Sequence, residues 1–256
     1  MIHIITVHHQ VERWIKLQHT YLQKYAQECK VWTYINGIPH WKKHRPKFHF
    51  AQPSGKLELG PCNPSSVGSR NHWAKLNKLT SLVIEDAETD EDDILVWLDS
   101  DAFPVAPLRP FIDLKLAHSP FLAIQRPENG GDRIPHPSFA CATIKFWKDH
   151  GLTWAGALKT LHQGRHDTGG KLLIYFLEHD VEWYRLRRTA SLTEHPVWFT
   201  VYDNLIYHHG AGSRGRVCRA RPKGVSFNER EVFAQITNHP PYEDFSWNDY
   251  LDELLH

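Results

Sequence analysis

Two aspartates one residue apart, Asp99 and Asp101, directly follow an apolar run in the stretch LVWLDSDAFP. In an extended chain residues i and i+2 point to the same side, so we expect both carboxylates on one face. Two carboxylates in one place repel each other unless a positive group lies between them. Mg²⁺ and Mn²⁺ prefer oxygen ligands, and Mg²⁺ usually binds one or two carboxylates together with substrate phosphates. The pair therefore indicates a cation site that binds a diphosphate; the alternative is a plain turn, where Asp is also common.

The elements around this pair predict an α/β fold. The run 93–98 ahead of the aspartates is almost wholly apolar, which is typical of a strand at the centre of a parallel sheet. The predicted strands are 2–7, 30–37, 93–98, 121–126, 138–146, 181–186 and 204–209. The predicted helices are 11–25, 70–85, 153–162, 170–179 and 247–255. Strands that alternate with helices favour a sheet whose sites lie at strand ends, and the Pro-, Gly-, Lys- and His-rich stretch 38–69 predicts an irregular loop or lid.

Composition excludes several classes of protein. The chain has 256 residues and a formal net charge of +1, which fits one large domain and argues against a dedicated nucleic-acid binder. No apolar stretch of about 18 residues occurs, so we expect no membrane span. The start, MIHIITVHHQ, lacks the pattern of a signal peptide. The four cysteines form no CxxC pair and are expected to be free thiols, which favours a cytoplasmic location.

The segment LVWLDSDAFP resembles the DxD segment of GT-A fold glycosyltransferases, enzymes that move a sugar from a nucleotide-diphosphate donor to an acceptor. The resemblance implies a single Rossmann-like domain over 1–256, with a mixed, mainly parallel sheet flanked by helices. Its implied parts are a nucleotide-binding half (1–105), an acceptor and metal half (106–217) and a C-terminal extension (218–256). It also implies a metal-dependent hexosyltransferase that uses Mn²⁺ or Mg²⁺, a nucleotide-sugar donor (UDP-sugar favoured) and a glycan or glycoconjugate acceptor.

The same resemblance implies roles for individual residues. Asp99 is expected to contact the metal or the donor ribose, and Asp101 to bind the metal. Donor contacts are expected from the end of the first strand, from the start of the helix before the DxD segment and from the segment itself. These expected donor-contacting residues are Thr6, Val7, His8, Arg70, Asn71, Lys75, Asp99 and Ser100.

A later motif, IYHHGAGSR, carries two adjacent histidines and a glycine-rich basic loop. In the family that the chain resembles, a histidine near this position is often the third metal ligand, and the loop beyond it covers the diphosphate. Adjacent strand residues face opposite sides, so only one of His208 and His209 can readily join the aspartates. We favour His208, because Gly210 and Gly212 then lie in the turn beyond it, but His209 remains open. Arg214 is expected to bind phosphate oxygens, as arginine does with two parallel hydrogen bonds.

The acceptor side is less defined. Asp167 precedes a glycine pair and a predicted helix in RHDTGGKLLIYFLEH. It is either the N-cap of that helix or a catalytic residue, an acceptor-binding carboxylate or the base that removes the acceptor proton. Four nearby aromatic residues either stack on sugar rings or, as we favour for most of them, pack in the core. They are Phe139, Trp147, Trp154 and Trp198.

Two other functions account for part of the pattern. A sugar-nucleotide nucleotidyltransferase also has an α/β nucleotide fold and a metal-binding aspartate, but it generally needs a glycine-rich basic loop after the first strand. Here that strand runs into VHHQVERW, which has no glycine. A non-catalytic carbohydrate-binding protein would explain the tryptophans but not the DxD pair together with the later His-Gly-Arg loop.

Overall fold

The computed structural model describes residues 1–53, 67–126, 133–157, 168–191 and 200–210. Its strands are β1 (Ile2–His9), β2 (Cys29–Asn36), β3 (Phe50–Pro53), β4 (Ile94–Leu98), β5 (Ala102–Pro104), β6 (Phe121–Ile124), β7 (His136–Thr143), β8 (Tyr184–Leu186), β9 (Arg188–Ser191), β10 (Thr200–Tyr202) and β11 (Ile206–His208). Its helices are α1 (Arg13–Tyr25), α2 (Val67–Glu85), α3 (Leu108–Leu116), α4 (Ile144–Asp149) and α5 (Gly170–Glu178), with a 3₁₀ helix at Trp41–Lys47.

The expected fold class is confirmed by the larger sheet, which is mixed and mainly parallel. Its strand order is β3-β2-β1-β4-β7-β6-β8. The neighbours are parallel except where β7 pairs antiparallel with β4 and β6. The carboxyl ends of the six parallel strands therefore meet at one edge, together with the start of β7. This edge is where ligands bind in open α/β sheets.

Each face of this sheet carries its own hydrophobic cluster. Because side chains alternate along a strand, Ile2 and Ile4 of β1 pack with α1 and α3, whereas Ile5 and Val7 pack with α2, α4 and α5. Burial of one such aliphatic side chain stabilises the fold by about 1.5–3 kcal/mol. The helices on both faces therefore hold β1 and β4 rigidly in the centre.

A second, four-stranded sheet lies beyond the carboxyl end of β4. Its order is β5-β11-β10-β9, and all its pairings are antiparallel. Ala102 of β5 pairs with His208 of β11, so the residues that follow the DxD segment lie directly beside the later histidine motif. This small sheet joins two segments that are far apart in the sequence.

Several predicted elements are wrong or incomplete. The helix expected at 153–162 is wrong as far as it is described, because residues 152–157 have no helical structure. The strand expected at 138–146 ends at Thr143, whose hydroxyl accepts a hydrogen bond from Phe146 N and caps α4. The expected loop 38–69 contains the 3₁₀ helix and β3, which adds to the sheet as its edge strand.

Two further expectations, on membrane spans and on free thiols, can be compared with the described residues. No helix among them combines the length and apolar character that crossing a membrane requires. Cys29 and Cys141 are free thiols, and Cys141 is buried. The remaining two cysteines lie outside the described residues.

Candidate functional site

Asp99 and Asp101 lie in a turn between β4 and β5 rather than on an extended strand. Ala102 N donates to Asp99 O over 3.0 Å and closes the turn. Gln18 of α1 donates to the carbonyls of Asp99 and Ala102, both over 2.8 Å, and so holds the turn against the helix. The two aspartates were expected to share one face of an extended strand. This expectation is wrong, because the strand ends at Leu98. The turn nevertheless keeps the two side chains close together.

His208 approaches both carboxylates from the neighbouring strand. Its Nε2 lies 3.7 Å from Asp101 Oδ1 and 3.9 Å from Asp99 Oδ2. One ligand atom from each of these three residues can be chosen so that all lie within 4.8 Å of one another. The β5–β11 pairing and the hydrogen bond from His209 N to Asp101 O, 3.0 Å, produce this arrangement.

His209 faces a different environment. Its ring centroid lies 4.7 Å from that of Trp14, and its Nδ1 lies 3.1 Å from the Tyr207 hydroxyl. Burial lowers the pKa of His209 to about 3. Of the two adjacent histidines, His208 therefore points toward the carboxylates, while His209 packs beside α1.

The chemistry of this Asp99–Asp101–His208 group fits a divalent cation. A carboxylate-rich site with one imidazole suits Mn²⁺ or Mg²⁺. A histidine must be neutral to be a ligand. Burial lowers the pKa of His208 and outweighs the opposite pull of Asp101 and Asp99. The neutral imidazole required of a ligand is thus the form that this environment favours.

Two further histidines flank Asp99, and neither was singled out from the sequence. His72 of α2 places Nε2 at 3.4 Å from Asp99 Oδ1. His136, at the start of β7, places Nδ1 at 4.0 Å from Asp99 Oδ2. The same Nδ1 accepts from Ser138 N over 3.2 Å, so it carries no proton in the neutral ring. Nothing in the spacing of these residues signals their meeting: His136 is brought to Asp99 by the pairing of β4 with β7, and His72 by the packing of α2 against the sheet.

The expected nucleotide contacts on β1 divide into two kinds. Val7 belongs to the hydrophobic cluster under α2. Thr6 and His8 are fully buried on the other face, and neither Thr6 Oγ1 nor either ring nitrogen of His8 has a hydrogen-bond partner among the described residues. Burial, reinforced by the charge of His44, lowers the pKa of His8 to about 3. Polar groups buried in this way are rare unless a ligand or water reaches them.

The expected contacts on α2 lie at the same edge of the sheet as far as they are described. Lys75 is only 5% exposed, and no described residue forms an ion pair with its ammonium group. Burial lowers the pKa of Lys75. The pKa of His9, at the end of β1, is lowered first by burial and second by the positive charge of Lys75. Asn71 is half-buried, as is Ser100 in the DxD turn. Arg70 lies in α2, but its side chain is outside the described part of the structure.

The expectations for the acceptor side have mixed outcomes. Asp167, Arg214 and Trp198 lie outside the described residues. The residue that caps α5 is Gly169, with φ 93°, so the alternative that Asp167 is the N-cap of this helix is wrong. The other three aromatic residues of the group are buried in the core, as we favoured. They are Phe139, Trp147 and Trp154.

The whole chain was compared with known proteins. No family model matches the sequence, and no curated protein matches it either. Solved structures that resemble it include the mannosyltransferase PcManGT from Pyrobaculum calidifontis in complex with GDP-Man and Mn²⁺, at a TM-score of 0.46 and 12% identity over 72% of this chain and 54% of that one. The glycosyltransferase GlyE of Streptococcus pneumoniae TIGR4 follows at a TM-score of 0.44 and 13% identity, over 72% and 45% of the two chains.

A third match is S. aureus TarS, at a TM-score of 0.40 and 15% identity over 60% of this chain. It is matched over 30% of its own length, so the present chain spans from less than a third to about half of the length of these three proteins.

Proposed function

We propose that the protein is a metal-dependent glycosyltransferase that moves a hexose from a nucleotide-diphosphate donor, preferably a UDP-sugar, to a hydroxyl of a glycan or glycoconjugate. The observation that carries the proposal is the Asp99–Asp101–His208 group, whose ligand atoms converge at the carboxyl edge of a mainly parallel sheet. Mn²⁺ or Mg²⁺ is the proposed cation. The free thiols of Cys29 and Cys141 fit the cytoplasmic location that we expect.

In the proposed site, Asp99, Asp101 and His208 hold the cation, and a bound cation stabilises the negative charge that grows on the leaving diphosphate. The turn that carries the aspartates is held by Gln18, so the carboxylates are oriented before any ligand arrives. Lys75 is buried, and its ammonium group is proposed to attract phosphate oxygens.

The nucleotide is proposed to occupy the end of β1. Thr6 Oγ1 and the His8 nitrogens are buried polar atoms without described partners, and a nucleoside can supply hydrogen bonds to them. Asn71, Ser100, Arg70 and Arg214 are proposed as further donor contacts. Val7 contributes packing of the strand rather than a polar contact.

The roles of the two halves of the chain are also part of the proposal. Residues 1–105 are proposed to bind the nucleotide, and residues 106–217 to bind the acceptor and complete the metal site, within one domain that includes 218–256. Asp167 is the proposed base that removes the proton from the acceptor hydroxyl. Such a base must lie within hydrogen-bond reach of that hydroxyl.

The test uses the full chain with Mn²⁺ and a panel of UDP- and GDP-sugars, with release of nucleoside diphosphate as the readout. We expect slow release from one donor, and we expect Asp101→Ala to abolish both the release and the Mn²⁺-dependent binding of that donor. Asp113→Ala is the matched control, because Asp113 lies on the exposed face of α3, away from the candidate site, and forms an ion pair with Arg109 of the same helix. Near-normal activity of Asp101→Ala would exclude the metal role.

The same panel separates the two other functions. A nucleotidyltransferase would form pyrophosphate from a nucleoside triphosphate and a sugar phosphate. A carbohydrate-binding protein would bind glycans and release no nucleotide.

A further inference from the structure

Arg126, two residues beyond β6, is a buried cation that the proposed reaction does not use. The residue is only 7% exposed. Its Nε has no hydrogen-bond partner among the described residues, and none of their carboxylates forms an ion pair with it. An arginine is almost never this buried unless it is paired.

The position of Arg126 is set by the pairing of β6 with β7. Ile124 pairs with His136, so the chain that continues to Arg126 runs beside the start of β7, next to the DxD turn. His136 in turn lies 6.1 Å from His208, centroid to centroid. His136 also places Nδ1 at 4.0 Å from Asp99 Oδ2. Arg126, two residues beyond the partner of His136, therefore lies beside the candidate cation site.

Arg126 and Lys75 flank this site from different sides. Lys75 belongs to α2 and lies near the end of β1, which is the proposed nucleotide side. Arg126 follows β6, which is separated from β1 by β4 and β7 in the sheet. If the diphosphate of the proposed donor lay between Lys75 and the cation, the sugar and the acceptor would lie toward β7 and β6, the side from which Arg126 follows.

The Nε of this buried arginine has no hydrogen-bond partner among the described residues, which opposes folding, and a ligand anion that accepts from the guanidinium group would offset that cost. Arginine also matches carboxylate and phosphate groups with two parallel hydrogen bonds. We propose that Arg126 is a specificity-determining residue that binds an anionic group, a carboxylate or a phosphate, on the transferred sugar or on the acceptor. This inference rests on the proposed function, and it adds that the substrate is acidic beyond its diphosphate.

The first test measures the stability of the protein without ligands. Arg126→Met keeps the length of the side chain and removes the charge, so we expect the melting temperature to stay constant or rise by about 2–4 °C. Arg133→Met, at an exposed arginine close by, is the control and should change nothing. A fall of several degrees for Arg126→Met alone would show that the guanidinium group stabilises the fold, and it would overturn the proposal.

The second test compares ligands that differ only in charge, with the full chain and Mn²⁺. The donor arm pairs UDP-glucuronic acid with UDP-glucose and GDP-mannuronic acid with GDP-mannose. The acceptor arm pairs glucuronic acid and glucose 6-phosphate with glucose, in the presence of UDP or GDP. In one arm we expect the acidic member to bind at least about tenfold more tightly, the effect of one charged hydrogen-bonding pair.

Arg126→Gln should abolish this preference in the responding arm, while Arg133→Gln keeps it. Binding of UDP or GDP alone should change less than about twofold in Arg126→Gln. An equal loss for the nucleotide alone would place Arg126 on the diphosphate and overturn the inference. Equal binding of acidic and neutral ligands in both arms would overturn the inference but leave the proposed function intact. Failure of the wild-type protein to bind either nucleotide with Mn²⁺ would overturn both.

Discussion

His3 and His8 lie near opposite ends of β1, and both imidazole rings are fully buried. Both nitrogens of His3 are used: Trp32 Nε1 donates to Nδ1 over 3.3 Å, and Nε2 lies 2.9 Å from Asp93 Oδ2. Because an indole N–H can only donate, Nδ1 accepts and Nε2 donates to the carboxylate. At His8, in contrast, neither nitrogen has a hydrogen-bond partner among the described residues.

The difference extends beyond these two residues. Thr6 Oγ1, His208 Nδ1 and Arg126 Nε at the carboxyl edge are also buried without described partners. A buried polar atom without a partner costs about 1–3 kcal/mol, so a cluster of them is retained only where it has a use. The amino end of β1 uses its polar residues to stabilise the fold. These polar atoms of the carboxyl edge lack hydrogen-bond partners among the described residues, as the proposed donor site requires.

The largest effect that we expect from this contrast is the loss of stability in His3→Leu. The change leaves the Trp32 N–H buried without its partner and removes one of the two hydrogen bonds to Asp93 Oδ2, which keeps the one from Asp90 N, so the free energy of unfolding should fall by about 3 kcal/mol. Urea denaturation followed by circular dichroism measures this value. Nucleotide binding in the presence of Mn²⁺ should stay unchanged, since His3 lies at the far end of the strand. A loss below about 1 kcal/mol would show that the hydrogen bonds of His3 do not stabilise the fold.

The pH dependence of stability is expected to be intermediate in size. Burial lowers the pKa of His3 and lowers the pKa of His8 to about 3, whereas both titrate near pH 6.5 when unfolded. Between these values the unfolded chain binds more protons than the folded one. The stability is therefore complete above pH 6.5 and falls as the pH decreases, by up to about 1.4 kcal/mol per pH unit for each histidine.

Urea denaturation at pH 7.5 and pH 5.0 tests this expectation. His8→Leu removes the contribution of one histidine, so its loss of stability between these pH values should be smaller than that of the wild type by about 2 kcal/mol. Equal losses in the two proteins would mean that His8 is protonated in the folded state.

The smallest effect is expected for His8→Leu at neutral pH, and its sign is opposite to that of His3→Leu. No described hydrogen bond is lost, and a polar ring is replaced by an apolar side chain of similar size, so the free energy of unfolding should rise by about 1 kcal/mol. The same variant should bind UDP or GDP more weakly in the presence of Mn²⁺. Isothermal titration and urea denaturation of one preparation measure both quantities. A destabilised variant with unchanged nucleotide binding would contradict the contrast between the two ends of the strand.

Local patterns in the sequence were sufficient for the central strands. The apolar runs of β1 and β4 predict buried strands, because a strand that is covered on both faces of a sheet is apolar along most of its length. Other strands were not predicted, because they form only through pairing with residues far away in the sequence. The edge strand β3 forms only because β2 offers its free edge, and β5 only because β11 pairs with it.

For the site, the sequence by itself determined that two carboxylates follow a rigid buried strand and that two histidines lie in a later motif. Only the tertiary structure decided that His208 rather than His209 faces the carboxylates, and that His72 and His136 flank Asp99. The reason is physical: the residue type and the end of a strand are local properties of the chain. The direction of a side chain follows from the register between strands, and that register is decided by packing between segments far apart in the sequence.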